Sequence, residues 1–142
     1  MTYISCDADI ERIGVGVLTR TLPKSEWTHA AHFAAAFWLL SRPERDAMRE
    51  MPGLIRAYNE ATGVANTDHG GYHETITLAS LRAARAWLDA RPHAPLHAAL
   101  REILVSKYGR PDWLLAYWSR SLLFSVNARR TWVKPDLQPL PF

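Results

Sequence analysis

Apolar residues recur at helical spacing through most of this chain. Ile10, Ile13 and Val17 share one face of a first helix that Asp7 can cap and that Pro23 closes, with Gly14 and Gly16 weakening it. A second helix is predicted from about Ser25 to Ser41, before Pro43, with Thr28 three residues after Ser25 where a capping-box Glu would stand. From Ala30 to Leu40 it is apolar on almost every side, so it must cross the middle of the domain. That run is about half of the ~20 residues a membrane-spanning helix needs, and His32 interrupts it. Pro43 fits the first turn of a third helix carrying Met48, Met51, Leu54, Ile55 and Tyr58 and ended by Gly63. Within it, Pro52 and Gly53 predict a kink or a division into two short helices.

Asn66, Thr67, Asp68, Gly70 and Gly71 mark a loop from Val64 to Gly71. A long fourth helix from Tyr72 to about Ala90 places Ile76, Ser80, Ala83, Ala84 and Trp87 on one side. Leu96, Leu100, Ile103 and Leu104 define a fifth, ending at Gly109. Pro111 opens a sixth through Trp113, Leu114 and Trp118, and Ser125 caps a short seventh with Ala128 and Trp132. The prolines between Lys134 and Phe142 predict an extended strap. No window alternates with period two. The expectation is an all-α fold: one domain over residues 1–142, six or seven helices around one core, with the tail 134–142 packed on it or on a partner.

Composition narrows the classes. With 48% hydrophobic and 22% charged residues in a 142-residue chain, disorder and rod-like architectures are excluded. The net charge of +3 is spread along the sequence, which argues against nucleic acid and membrane partners. Cys6 is alone, so no internal disulfide is expected, and the residues before it lack the basic start and apolar run of a secretory signal. A cytoplasmic location is the expectation.

Polar groups at two helix starts carry the candidate chemistry. His29 and His32 lie one turn apart near the start of the second helix, where burial and the helix dipole favour neutral imidazole, the form that binds metals or accepts a proton. Tyr72, His73, Glu74 and Thr75 open the fourth helix. His73 falls on its core-facing side, and Glu74 stands where the dipole favours a carboxylate, yet half-buried it needs a partner. The plainer reading has each histidine bonded to a backbone carbonyl and Glu74 acting as a first-turn cap.

The strings EWTHAAHFAAAFWLL, IRAYNEATGVANT, GYHETIT and YWSRSLLFSVNARRTWVKPDLQPL resemble a family of small bacterial all-helical proteins with the motifs WTHxAHL, RYNxxxGxxN, GYHETIT and SRxxLxSxxARxxWVxPDLxPL. The resemblance covers about residues 10–140 and implies no activity or cofactor. It marks Trp27, His29, His32, Tyr58, Asn59, Asn66, Tyr72, His73, Glu74, Ser119, Arg120, Ser125, Arg129, Trp132 and Asp136. His69, His93 and His97 fall outside the motifs, and Phe33 stands where the family has Leu.

Three readings follow. In the first, His29, His73 and Glu74 hold one divalent metal (zinc, iron, nickel or manganese), with His32 as a fourth ligand or as a partner supporting a ligand and Glu74 catalytic, and the metal activates water for hydrolysis of an ester, amide or phosphate. No HExxH or paired ExxH pattern accompanies it. In the second, the pocket binds a small anionic or aromatic molecule through Trp27, Tyr58, Asn59, Asn66, Tyr72 and Trp118, with Arg120 or Arg129 clamping a carboxylate or phosphate. Against this, those arginines could instead pair with a carboxylate such as Asp136 and lock the strap. In the third, the proline-rich end with Leu137, Leu140 and Phe142 docks on a partner or makes a homo-oligomer.

Overall fold

The computed structural model describes residues 4–142. Among these the chain forms seven α-helices and no strand. They are α1 (Asp7–Leu18), α2 (His29–Leu40), α3 (Ala47–Ala61), α4 (Glu74–Asp89), α5 (Leu96–Val105), α6 (Arg120–Leu123) and α7 (Val126–Arg130). The all-α class is therefore as the spacing predicts. No helix of the described residues is long and apolar enough to cross a membrane.

Helix α2 is the axis of the bundle. Ala31 and the seven residues from Phe33 to Leu39 are buried, and α1, α3, α4 and α5 pack around it. The near-absence of a polar face leaves no other place for it. The helix starts later than Ser25. Thr28 is its N-cap, accepting the Ala31 N–H at 3.2 Å, while Lys24–Glu26 form a separate turn of 3-10 helix. Helix α1 meets α2 at a small residue: a Cβ on Gly14 would lie 2.3 Å from the Trp38 ring, so only glycine lets the two helices approach this closely.

Further expectations need correction. Asp7 is the first residue of α1 and not its cap, since Cys6 holds the cap position without a side-chain capping bond, and Pro43 lies ahead of α3 instead of in its first turn. Pro52 neither divides the third element nor ends it; α3 is one helix from Ala47 to Ala61, capped by Asp46 through the Arg49 N–H at 3.3 Å. A proline inside a helix forfeits a backbone bond, but Met51 and Ile55 bury the same face on either side of it and hold both halves to the core. The sixth helix from Pro111 reduces to a 3-10 turn at Trp113–Ala116. The strap explains why. Gln138 Nε2 donates to the Ala116 carbonyl and the Leu137 N–H to that of Tyr117, so the acceptors that would continue a helix are taken from outside it.

The strap from Lys134 onward is extended and lies on its own chain. Ser119 gives its N–H and Oγ to Asp136, at 2.7 and 2.6 Å, and Trp118 Nε1 donates to the Val133 carbonyl. Asp136 is thus held by Ser119, not by Arg120 or Arg129, and its carboxyl is kept below the usual carboxylate range by that hydroxyl and N–H.

Candidate functional site

Two adjoining cavities lie between α2, α3 and α4. The first, about 320 Å³, has apolar walls that include Phe33, Ile55, Ile76, Leu81 and Leu114, with His29 at one side. The second, about 380 Å³, is bounded by Trp27, Asn59, Tyr72, His73 and Arg129. Each falls in the ~300–1,000 Å³ range of small-molecule sites. His32, Ile55, Ile76 and Thr77 line both, so His32 stands at their junction.

The histidines differ in what their nitrogens do. A carbonyl oxygen only accepts, so each ring nitrogen facing one must carry the proton. His29 Nε2 donates to the Tyr108 carbonyl at 2.8 Å, and the ring meets Phe33 edge-on. His73 Nε2 donates to the Leu123 carbonyl at 2.7 Å while its Nδ1 accepts the Ile76 N–H at 3.2 Å. His73 is therefore the N-cap of α4, ahead of the helix and not in its first turn, with both nitrogens engaged. Burial pushes its pKa down. His32 Nδ1 donates to the Thr28 carbonyl at 2.8 Å, and its Nε2 has no hydrogen-bond partner among the described residues. The Trp27 indole stacks on this ring. Burial lowers the His32 pKa to about 4, so the ring is neutral and its Nε2 lone pair is bare.

Glu74 finds its partner in Tyr72, whose hydroxyl donates to Glu74 Oε1. Burial, and then that bond, raise the Tyr72 phenol well above its ordinary range. Among the described residues no three His, Cys, Asp or Glu side chains are grouped to hold a metal ion. The four-ligand arrangement of His29, His32, His73 and Glu74 is thus not assembled. His29 lines the first cavity and His73 the second, and His73 could ligate only by giving up its cap or its carbonyl.

The remaining expected residues separate into wall, staple and surface. Asn59 and Asn66 are bonded to each other, and Asn66 also accepts the Tyr72 N–H at 3.0 Å and donates to the Arg56 carbonyl at 3.1 Å, tying the loop to α3 and α4. Gly71 closes that loop at φ +78, where a Cβ would lie 2.5 Å from the Ala65 carbonyl. Tyr58 is fully buried and donates to the Leu22 carbonyl at 2.8 Å, so it supports Trp27 from behind. Trp118 is core. Arg120 is exposed, lies over Phe124 and reaches neither cavity.

Arg129 is the arginine at the second cavity, where its Nη1 donates to the Gly71 and Tyr72 carbonyls at 3.0 and 3.2 Å. A further recess beyond Tyr72 and Arg129 is lined by Arg56, whose guanidinium lies over the Tyr72 ring, and by Arg130, which pairs with Asp68. Sequence reasoning missed Arg56 and Thr77. Neither belongs to a patterned constellation, and the available signal was only their helical neighbourhood with Asn59 and with His73.

No family model matches the chain, and no solved structure matches it. Over 100 residues, 65% of its length, it is 31% identical to coproporphyrin III ferrochelatase of Propionibacterium freudenreichii subsp. freudenreichii. The chain spans about a quarter of that relative's length, 27%.

Proposed function

We propose that this chain is a small-molecule binding module whose ligand is a flat, largely apolar ring system bearing carboxylates. The observation that carries this reading is the pair of cavities meeting at His32, one with apolar walls and the other bordered by Arg129, with Arg56 in the recess beyond Tyr72. An apolar ring fits against Phe33, Ile55 and Leu114, and carboxylates meet Arg129 and Arg56, neither of which is paired with an acid among the described residues. The relative is named for coproporphyrin III, a ring of this chemistry, which makes tetrapyrroles the first class to test.

This reading favours binding over metal-dependent hydrolysis because, among the described residues, no three potential metal ligands are grouped and most of the expected ones are tied to other partners. His29 and His73 hold backbone carbonyls, and Glu74 holds Tyr72.

Titration with metal-free coproporphyrin III, followed by quenching of tryptophan fluorescence, tests it. Saturable quenching is expected, weakened about tenfold or more in Arg129→Ala through loss of a charge-assisted contact. Absence of saturable binding, or wild-type affinity in both Arg129→Ala and Arg56→Ala, contradicts it.

A further inference from the structure

We infer that His32 Nε2 is an axial ligand for a metal ion that arrives already chelated in the plane of a macrocycle, so that the ligand is a metalloporphyrin. The inference rests on the pocket reading above and adds a role for one atom within it.

Three observations converge on that atom. The Thr28 carbonyl takes the Nδ1 proton, which fixes the tautomer and leaves the Nε2 lone pair outermost on the ring. Among the described residues nothing bonds to Nε2, although the ring lines both cavities. Trp27 lies flat against the imidazole, its centroid 3.7 Å away, and holds its orientation. A ring positioned in this way, on the wall of both cavities with one nitrogen unpartnered and the other committed to a carbonyl, has the arrangement that metal-ligating histidines adopt.

The surroundings determine what kind of metal could use it. A bare divalent ion takes three or four protein donors, and among the described residues no group of three is present. One donor suffices only when the other positions are filled before the metal arrives. A porphyrin fills four in its plane, and a single histidine then completes the iron site from one face. The cavity walls suit that plane: Phe33, Ile55, Ile76 and Leu114 offer apolar contact to its faces, while Arg129 on the second cavity and Arg56 in the adjoining recess offer cations to its carboxylates. The step itself is a dative bond from the Nε2 lone pair, with no proton released, because the ring proton stays on Nδ1.

Iron(III) coproporphyrin III and metal-free coproporphyrin III, titrated in parallel, separate the two claims. The iron form is expected to give a shifted Soret band with wild-type protein. His32→Gly should lose that shift, and its affinity should fall at least about tenfold further for the iron form than for the metal-free form. Added imidazole should restore the shift in His32→Gly, and His69→Ala, on the exposed loop, should behave as wild type. Pulsed electron paramagnetic resonance of the wild-type complex should detect coupling to an imidazole nitrogen, a readout that needs no variant to fold. An identical Soret shift in His32→Gly, or no imidazole coupling in wild type, overturns the ligation. If the metal-free porphyrin still binds, the pocket reading stands without it. If neither form binds, both fall.

Discussion

The indole of Trp27 lies against the imidazole of His32, with ring centroids 3.7 Å apart and planes 28° from parallel. Trp27 follows the 3-10 turn before α2, so a residue outside the helix fixes the side chain at the junction of the cavities. The same indole meets Tyr58 at 5.3 Å, which couples the stack to the core. Trp27→Leu preserves most of the apolar contact and removes the stacking. It should cost about 1 kcal/mol, read as a lower urea midpoint. An unchanged midpoint would mean that the stack does not hold the ring.

Acid should destabilise the fold through its histidines. His32 titrates near 4 in the native chain against 6.5 for the unperturbed group, and burial also lowers His73. The unfolded chain therefore binds more protons than the native one between about pH 4 and 6.5. Stability from this source is complete above that window and is lost as the pH falls through it. For His32 the loss amounts to up to roughly 3 kcal/mol. Denaturation at pH 7 and pH 4.5 should show a smaller drop for His32→Gln than for wild type. Parallel drops would refute the assignment.

The contact between α1 and α2 gives a test of packing. Alanine is the better helix former by about 1 kcal/mol, yet a Cβ on Gly14 would press into the Trp38 ring. Overpacking of this kind costs about 1–3 kcal/mol, so Gly14→Ala should be destabilising on balance. A raised melting temperature would show that the helices have room to separate.

Asn66 holds the loop that floors the second cavity. Its side chain serves Asn59, the Tyr72 N–H and the Arg56 carbonyl together. Asn66→Ala should cost about 1–3 kcal/mol through the groups left unpaired. Amide hydrogen exchange should accelerate across residues 64–72 before it does elsewhere. Uniform acceleration over the chain would place the loop within the global unfolding unit.

The helical class, the central position of α2 and the capping role of Ser125 were legible in the sequence, whereas the cap of α2 at Thr28 was not, since the pattern points to a start at Ser25. An eleven-residue apolar run admits no other placement, and Ser125 indeed accepts the Ala128 N–H at 3.1 Å. The continuity of α3 through Pro52 was not legible, because it depends on burial at Met51 and Ile55 outweighing a lost backbone bond. Nor was the loss of the sixth helix, which depends on strap residues twenty positions further on competing for its carbonyls. For the site, the motif-bearing residues do cluster, but spacing alone could not say which ring nitrogens meet carbonyls. The Tyr108 and Leu123 carbonyls that occupy His29 and His73 come from segments 79 and 50 residues away. His29 Nδ1 and His32 Nε2 both lack a hydrogen-bond partner among the described residues, and of the three histidines His32 is the one that lines both cavities.

Long-range proton–nitrogen NMR of the His32 ring, recorded at neutral pH with and without metal-free coproporphyrin III, tests the pocket most directly. The account predicts a proton on Nδ1 and none on Nε2 in the free protein, and a displaced Nε2 resonance once the porphyrin is added. A proton on Nε2 in the free protein, or a porphyrin that perturbs the strap and leaves both His32 nitrogens unmoved, would contradict it.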